Sequence, residues 1–155
     1  MMAAHVRIQT ESFDQTAELA MMHGGDLQVG ALASFTGLVR RVATPPEHAD
    51  APQSLFIEHY PGMTESYLTA LSRQARTRFA IHASAIIHRV GMLQPGEGIV
   101  LVAVTAPHRA AALHACDYLM DHLKNHAPFW KKQIVGDMAH WVQPHPQDAI
   151  ALQRW

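Results

Sequence analysis

The spacing of apolar and polar residues predicts a mixed arrangement of strands and helices. Alternating or continuous apolar runs predict strands, over about 6–9, 29–39, 55–60, 82–90, 99–105, 129–135 and 140–142. Apolar residues recurring every three or four positions predict helices, over about 14–23, 64–79 and 107–125, with a last short helix after Pro144. Because strands occur both singly between helices and as a close pair, we predict an α+β fold with a mixed, largely antiparallel sheet.

Glycines mark the places where this pattern is interrupted. Gly30 and Gly37 lie within the second predicted strand and indicate a bend or a close approach of another backbone. The glycine-rich stretch 91–98 is typical of a hairpin-like turn between two strands rather than of a phosphate-binding loop before a helix.

Prolines mark the one long irregular segment. Three of them lie between Arg40 and Gln53 and predict a mobile loop over about 41–53. The N-terminus is expected to be flexible over about 1–4. Residues 1–155 otherwise show no repeats and no linker, so we predict a single domain.

Composition narrows the class of function. Apolar residues make up 48% and charged residues 16% of the chain, as in globular rather than disordered proteins. No apolar run approaches the roughly 20 residues that span a bilayer, and the N-terminus lacks the apolar core of a signal peptide. Cys116 is the single cysteine, which excludes an internal disulfide and indicates a reducing, cytoplasmic environment. The formal net charge of −1 argues against nucleic-acid binding, so an anion site requires a local cluster of cations.

Two potential cations, His108 and Arg109, occur in the first turn of the longest predicted helix. Cations are disfavoured there, because the exposed amide groups already make a helix N-terminus positive. The arrangement is explained if an anion is held jointly by the amides and by Arg109. The alternative is an Arg109 that faces solvent or pairs with a carboxylate elsewhere.

A second cationic group, Lys124 with Lys131 and Lys132, flanks the break between that helix and the next strand. Met120 and Lys124 share a helix face because they are four residues apart. Successive strand residues face opposite sides, so only one of Lys131 and Lys132 can share a pocket with Lys124. A lysine beside another cation, or one removed from water, has a lowered pKa and can transfer protons or act as a nucleophile. The alternative is a solvated helix end, where lysine is favoured anyway.

A third group lies where the second strand ends, in Phe35-Thr36-Gly37-Leu38-Val39-Arg40-Arg41. Arginine suits bidentate binding of phosphate, although an ordinary basic strand end has the same composition. The three groups occur in order with Glu58-His59-Tyr60-Pro61-Gly62-Met63-Thr64-Glu65 and His88-Arg89-Val90-Gly91 between them. Together, over about Val29 to Val142, they resemble the large, catalytic subunit of molybdopterin synthase.

The resemblance implies an α/β hammerhead-type fold and a homodimer in which each subunit carries one small ubiquitin-like partner, a heterotetramer in all. That partner ends in Gly-Gly and carries sulfur as a C-terminal thiocarboxylate. The implied substrate is cyclic pyranopterin monophosphate. It receives two sulfurs stepwise, one from each of two carriers, to form the dithiolene of molybdopterin in molybdenum cofactor biosynthesis. Neither a metal nor a cofactor is implied for the enzyme itself.

The site residues of that family map onto the cationic groups and their neighbours. Lys124 and Lys131 match its catalytic residues, and Lys124 is the one more closely tied to catalysis. Its substrate contacts match Phe35, Val39, Arg40, His108, Arg109, Met120, Lys124, Lys131 and Lys132. A phosphorylated substrate and a thiocarboxylate are both anions, and an ammonium can stabilise the oxyanion charge that builds at a thiocarboxyl carbon. Two positions depart from the family pattern, Gln133 where Glu is frequent and Leu38 where some relatives have Lys.

Other features favour rival functions more weakly. His122 and His126 have the spacing of metal ligands, but no third ligand accompanies them. Cys116 is interpreted as a small buried side chain rather than as a sulfur carrier. The rivals are a non-catalytic module that binds a ubiquitin-like protein and a metal-binding protein, suggested by the 12 histidines. Loss of Lys124 or Lys131 would be typical of the non-catalytic module, and both are present.

The length of the longest predicted helix constrains how the site is assembled. Arg109 and Lys124 are separated by about 22 Å along one helix axis, at ~1.5 Å per residue. A single small pterin cannot easily contact both ends of such a helix. Either the helix breaks, or the site combines Lys124 and Lys131 of one subunit with His108 and Arg109 of the partner subunit. We favour the second arrangement.

Overall fold

Strands and helices follow the predicted order in the computed structural model, which describes residues 4–155. They are β1 (Ala4–Gln9), α1 (Gln15–His23), β2 (Ala31–Leu38), β3 (Gln53–His59), α2 (Met63–Phe79), β4 (Ala83–Arg89), β5 (Gly91–Leu93), β6 (Gly98–Ala106), α3 (Arg109–His126), β7 (Phe129–Val135), β8 (Met138–Trp141) and α4 (Pro146–Leu152). The helix predicted after Pro144 is confirmed as α4. None of these helices is long and apolar enough to cross a membrane.

The strands are divided between two four-stranded sheets. In the first sheet the order is β1-β4-β6-β2, with β1 parallel to β4 and the other neighbours antiparallel. In the second sheet the order is β5-β3-β7-β8, and all pairs are antiparallel. The predicted α+β class with largely antiparallel pairing is confirmed, whereas the division into two sheets does not follow from the sequence pattern.

The division arises in segment 91–98, predicted as a hairpin-like turn. The strands on either side, β4 and β6, do pair with each other. Between them, however, Gly91–Leu93 forms β5, which crosses to the second sheet and pairs with Leu55–Ile57 of β3. Leu93 is fully buried beneath that sheet. Burial of a leucine side chain contributes about 1.5–3 kcal/mol, which favours this excursion over a tight turn.

Helices α2 and α3 cover one face of the first sheet and enclose the main core. The side chains that fill it include Leu68, Leu71, Val102, Val104 and Leu119. A smaller core lies beneath the second sheet and consists of Val39, Leu55, Ile57 and Leu93. Phe129 packs against both cores, so the start of β7 lies where they meet.

Close packing at two glycines is found in and beside the second strand. The predicted approach of another backbone is confirmed at Gly30, whereas the neighbour of Gly37 is a side chain. A Cβ at Gly30 would overlap the carbonyl oxygen of Pro107, directly before α3. A Cβ at Gly37 would lie 2.9 Å from a methyl group of Val100. The Pro107 backbone therefore excludes a larger side chain at Gly30, whereas a larger side chain at Gly37 would require the Val100 side chain to move.

Helix α3 begins two residues later than predicted and ends one residue later, at His126. His108 has an extended backbone, with φ −135°, and occupies the N-cap position, so Arg109 rather than Pro107 is the first helical residue. Ala127 is also extended, as expected of a residue that precedes a proline, and Pro128 prevents the helix from continuing.

The predicted flexible N-terminus is corrected at its last residue. Of residues 1–4, the first three lie outside the described residues. Ala4 belongs to β1 and pairs with Ser84 of β4, because the parallel ladder extends to that position.

The proline-containing loop over 41–53 contains a 3-10 turn and ends one residue earlier than predicted, because β3 begins at Gln53. The Gln53 side chain accepts a hydrogen bond from the Val42 N–H at 2.8 Å and donates to the Val42 carbonyl at 3.0 Å. Arg41 donates to the Ala49 carbonyl at 3.3 Å. The mobility of this loop stays a prediction.

Candidate active site

The end of α3 and the start of β7 bring Lys124 and Lys131 to the same place. Lys124 is exposed in the last turn of α3, where the helix dipole favours a cation. Pro128 then turns the chain into β7, which carries Lys131 three residues later. The Asn125 side chain donates to the carbonyl of Asp148 at 2.8 Å and so ties this end of α3 to α4.

Strand alternation in β7 separates the two adjacent lysines. Lys131 pairs with the buried Ile57 of β3 and lies on the inner face of the second sheet. Lys132 lies on the outer face, where its ammonium is 4.6 Å from the centre of the Trp141 ring, a cation–π contact. The structure agrees with the prediction that only one lysine of the pair can share a pocket with Lys124, and that lysine is Lys131.

A cavity of about 630 Å³ opens beside Lys124 and Lys131, which is within the range of small-molecule sites. Its walls come from the end of α3, the start of β7, strand β4, the loop after β2 and the segment that contains α4. The polar and aromatic side chains in these walls include Arg40, His88, Lys124, Phe129, Lys131 and Asp148.

Arg40 reaches the cavity from the loop that follows β2, and its neighbour Val39 fixes its position. The Val39 N–H donates to the Glu97 carbonyl at 2.9 Å, and the Val39 carbonyl accepts from the Gly96 N–H at 2.7 Å. The Val39 side chain is buried in the smaller core. Val39 therefore anchors the backbone beside Arg40, while its own side chain lies in the core rather than in the cavity wall.

Burial and repulsion together lower the pKa of Lys131. Removal from water is the larger cause, and the nearby ammonium of Lys124 adds to it, whereas the carboxylate of Asp148 acts in the opposite direction. A lysine in this position releases its proton closer to neutral pH than a solvated lysine does, which suits it to proton transfer. The lowered pKa predicted for a lysine of this cluster is thus found at Lys131.

A buried histidine that the sequence-based prediction leaves without a role also lines the cavity. His88 is 1% exposed, and its ring stacks on Phe129 with 3.8 Å between the ring centres and 16° between the planes. Burial, with a smaller effect of the Lys131 charge, lowers the pKa of His88 to about 3. The signal in the sequence is a histidine inside a strand, Ala83–Arg89, whose seven residues are all buried.

Besides Val39 and Lys132, four further predicted site residues lie away from this cavity in the same protomer. His108 and Arg109 are exposed at the other end of α3, and the helix is continuous from Arg109 to His126. Met120 is buried in the main core. Phe35, on β2, is 42% exposed. One chain therefore unites Arg40, Lys124 and Lys131, but not the first-turn cations of α3.

The remaining candidates behave as ordinary structural side chains. Cys116 is buried, as predicted, and burial raises the pKa of its thiol to about 11, so the thiol is a poor nucleophile at neutral pH. The rings of His122 and His126 lie 5.8 Å apart. Residues 4–155 contain no group of three His, Cys, Asp or Glu side chains that would hold a metal ion.

Comparison with known proteins connects these features to one family. The family model described as MoaE protein matches residues 8–126. The chain belongs to the MoaE family. A relative from Ralstonia nicotianae, named molybdopterin synthase catalytic subunit, is 43% identical over 150 residues, which cover 97% of this chain and 83% of the relative. A relative of the same name from Pseudomonas aeruginosa is 40% identical over 150 residues, which cover 97% of each protein.

Solved structures of MoaE-family proteins share the fold. Molybdopterin cofactor biosynthesis protein E from Burkholderia multivorans superposes with a TM-score of 0.82 at 40% identity, covering 99% of this chain and 97% of that one. Molybdopterin synthase from Staphylococcus aureus superposes with a TM-score of 0.78 at 28% identity, covering 88% of this chain and 96% of that one. The resemblance found in the sequence is thereby confirmed.

Proposed function

We propose that this MoaE-family chain is the catalytic subunit of a molybdopterin synthase and acts as a sulfurtransferase. It transfers sulfur from the C-terminal thiocarboxylate of a small ubiquitin-like carrier to cyclic pyranopterin monophosphate, forming the dithiolene of molybdopterin. The observation that carries the proposal is the cavity where Arg40, Lys124 and Lys131 converge, in a chain whose relatives bear that name.

Each cation of the cavity has a task in this chemistry. The substrate phosphate and the thiocarboxylate are anions, and the guanidinium of Arg40 suits bidentate contact with phosphate. The ammonium of Lys124 stabilises the oxyanion that builds when a thiocarboxyl carbon is attacked. Lys131, whose pKa is lowered by burial, transfers protons during the two stepwise additions of sulfur.

The carrier delivers its sulfur on a flexible Gly-Gly end, one carrier per subunit of a homodimer, so that the assembly is a heterotetramer. Lys124 and Trp130 are exposed and line the cavity, so a chain end can enter between them. The compartment we propose is the cytoplasm, because the single cysteine, Cys116, is a buried free thiol.

The complete site in this proposal is shared between two protomers. Because α3 is unbroken, Arg109 and Lys124 of one chain stay about 22 Å apart. Arg109 of the partner subunit then supplies the second anion contact, together with His108 of the partner subunit. Phe35, Val39, Met120 and Lys132 remain predicted substrate contacts.

Reconstitution of the purified chain with a thiocarboxylated carrier and the pterin precursor tests the proposal. We expect dithiolene product with this carrier and none with the same carrier ending in an ordinary carboxylate. A chain that binds the carrier normally but makes no dithiolene would be a non-catalytic binding module instead. Stoichiometric metal in the purified protein would favour the metal-binding alternative.

A further inference from the structure

One edge of the His88 imidazole faces the backbone and leaves the other edge for the cavity. Its Nδ1 lies 2.8 Å from the carbonyl oxygen of Arg89. Because a carbonyl only accepts, the proton of the neutral ring is on Nδ1, and Nε2 carries a lone pair. Nε2 makes no hydrogen bond with any residue in the described range 4–155, although the side chain lines the cavity.

The ring of His88 is held in this orientation. It stacks on Phe129, and a turn of the ring would break the bond from Nδ1 to the Arg89 carbonyl. The side chain is 1% exposed, so bulk water does not solvate Nε2 freely. Nε2 is not among the fully buried polar atoms that lack a partner in the described residues, so it keeps contact with the cavity that the side chain lines. A lone pair fixed in this way beside a cavity points to a donor on a bound molecule.

The other polar side chains of the cavity offer no buried acceptor that is fixed and free for the N–H groups of a ligand. Gln143 has an amide oxygen but is exposed, and Nδ1 of His145 already accepts from the Gln147 N–H. The side chains of Arg40 and Lys124, and of Lys131 while it holds its proton, donate hydrogen bonds and have no lone pair to offer. They match phosphate and thiocarboxylate, but they cannot receive the N–H groups of a pterin ring. Asp148 is an acceptor, but its carboxylate already serves as a counter-charge to Lys131.

We propose that His88 is a further substrate-binding residue, whose Nε2 accepts a hydrogen bond from a ring N–H of the bound pterin. The inference rests on the proposed function, since it takes the ligand to be a pterin. In this arrangement the cations hold the anionic groups of the substrates, and His88 selects and orients the heterocycle.

The surroundings of His88 keep Nε2 an acceptor across physiological pH. Burial is the main reason that the pKa of His88 falls to about 3, and the charges of Lys131 and His59 add to it. The Arg89 carbonyl acts in the opposite direction. A solvated histidine would take up a proton near pH 6.5 and would then donate from Nε2 instead of accepting there.

Nitrogen NMR of the unmodified chain tests the contact directly. The chain is labelled with ¹⁵N-histidine, and spectra are recorded with and without the pterin precursor. The signal of His88 is assigned by its absence from the His88→Gln variant. We expect the Nε2 signal to move when the precursor binds, because the lone pair becomes engaged. An unmoved signal at saturating precursor would overturn the inference.

Two variants test the contribution of the acceptor to turnover. His88→Leu removes it, and His88→Gln keeps an acceptor of similar reach. With thiocarboxylated carrier, we expect the KM for the precursor to rise about ten- to a hundredfold in His88→Leu, with a smaller change in kcat, unchanged carrier affinity and partial recovery in His88→Gln. A folded His88→Leu variant with wild-type KM contradicts the inference, and if that variant does not fold, the NMR experiment decides.

His82 offers a matched control just before the other end of β4. Its Nε2 is buried and without a partner among the described residues, but His82 does not line the cavity. His82→Gln should therefore keep the wild-type KM. Absence of dithiolene with the wild-type chain would reject the proposed function, whereas normal product formation with unaltered KM in His88→Leu would reject only the role of His88.

Discussion

The two ends of helix α3 both carry cations but have different surroundings. At the C-terminal end, Lys124 lies beside Lys131 and a cavity whose walls come from four further parts of the chain. At the N-terminal end, His108 and Arg109 are exposed. Lysine is favoured at a helix C-terminus, whereas cations at an N-terminus oppose the helix dipole. One end thus lines a formed cavity, whereas the other carries exposed cations, and the anion site predicted there would need another molecule to complete it.

A symmetric dimer gives this difference a simple explanation. In a two-fold pair the same two surfaces meet twice, so the exposed first turn of each α3 can lie against the pocket of the other protomer. The unbroken helix excludes the alternative, in which Arg109 folds back to Lys124 of its own chain.

The largest effect is expected at the pocket end, from Lys131→Met. The methionine side chain fills a similar space but cannot carry a proton, so we expect kcat for dithiolene formation to fall about 10²–10⁴-fold. Single-turnover formation of product, with carrier and precursor both saturating, measures this step. Lys132→Met is the matched comparison, because Lys132 lies on the outer face of β7; it should lose less activity. Equal losses in the two variants would contradict the assignment of Lys131 to the pocket.

Mixed dimers of an Arg109→Ala chain and a Lys124→Ala chain test whether the active site is shared between two protomers. Arg109→Ala removes the exposed anion contact, and Lys124→Ala removes the pocket ammonium, so each parent dimer should be nearly inactive. A mixed dimer contains one site with both wild-type residues, so a random mixture should recover about a quarter of wild-type activity. Activity is measured after unfolding and refolding the two variants together.

The control for this mixture is each variant refolded alone. A mixture without activity above the two parents would indicate that each site belongs to one chain. Size-exclusion chromatography of the refolded material distinguishes that outcome from a failure to form dimers.

Local periodicity predicted much of the pocket end. Alternation in β7 separates Lys131 from Lys132, and proline geometry at Pro128 ends α3, because both effects depend only on neighbouring residues. The lowered pKa of Lys131 followed from the same reasoning, since it needs only burial and a nearby cation.

The walls of the pocket could not be predicted in the same way. His88 and Asp148 reach Lys131 from β4 and α4, and no spacing in the sequence links strands and helices so far apart. Likewise, β5 can join the second sheet only because one edge of β3 is open for pairing, and that open edge exists only in the folded chain. The one sign in the sequence of a further polar group in the cavity was a histidine, His88, inside a strand that is buried throughout.

The pH dependence of stability should distinguish His88, which is buried beside the cavity, from His108, which is exposed at the N-terminal end of α3. His88 is neutral in both the folded and the unfolded chain above about pH 6.5. Below that pH the unfolded chain binds a proton, whereas the folded ring, with a pKa of about 3, does not. The free energy of unfolding should therefore fall as pH decreases from about 6.5 to 3, by up to about 1.4 kcal/mol per pH unit.

Urea unfolding of the wild type, His88→Gln and His108→Gln over this pH range measures the effect. The glutamine at position 88 cannot titrate, so that variant should lose stability less steeply on acidification. His108→Gln should follow the wild type, because His108 is exposed. Parallel curves for the wild type and His88→Gln would show that burial of His88 does not contribute to acid sensitivity.

The smallest effect is expected where α4 is attached to the pocket end of α3. The Trp155 ring meets Phe79 and Tyr118 edge to face, at 5.8 and 5.5 Å between ring centres. Its indole N–H donates to the carboxylate of Asp121, on α3, at 2.6 Å. Trp155→Ala removes these contacts from a half-buried residue, so we expect the free energy of unfolding to fall by about 1–3 kcal/mol. Chemical denaturation measures the change.

A variant on the exposed surface of α4 serves as the control. It distinguishes loss of the contacts that attach α4 to α3 from loss of stability within α4 itself. Ile150 is 63% exposed on α4, so Ile150→Ala should change the free energy of unfolding by no more than about 0.5 kcal/mol. If Trp155→Ala is equally mild, the aromatic contacts do not hold α4. If it is not, amide exchange in α4 should accelerate in Trp155→Ala while exchange in the first turns of α3 stays unchanged, because only the pocket end of α3 depends on this attachment.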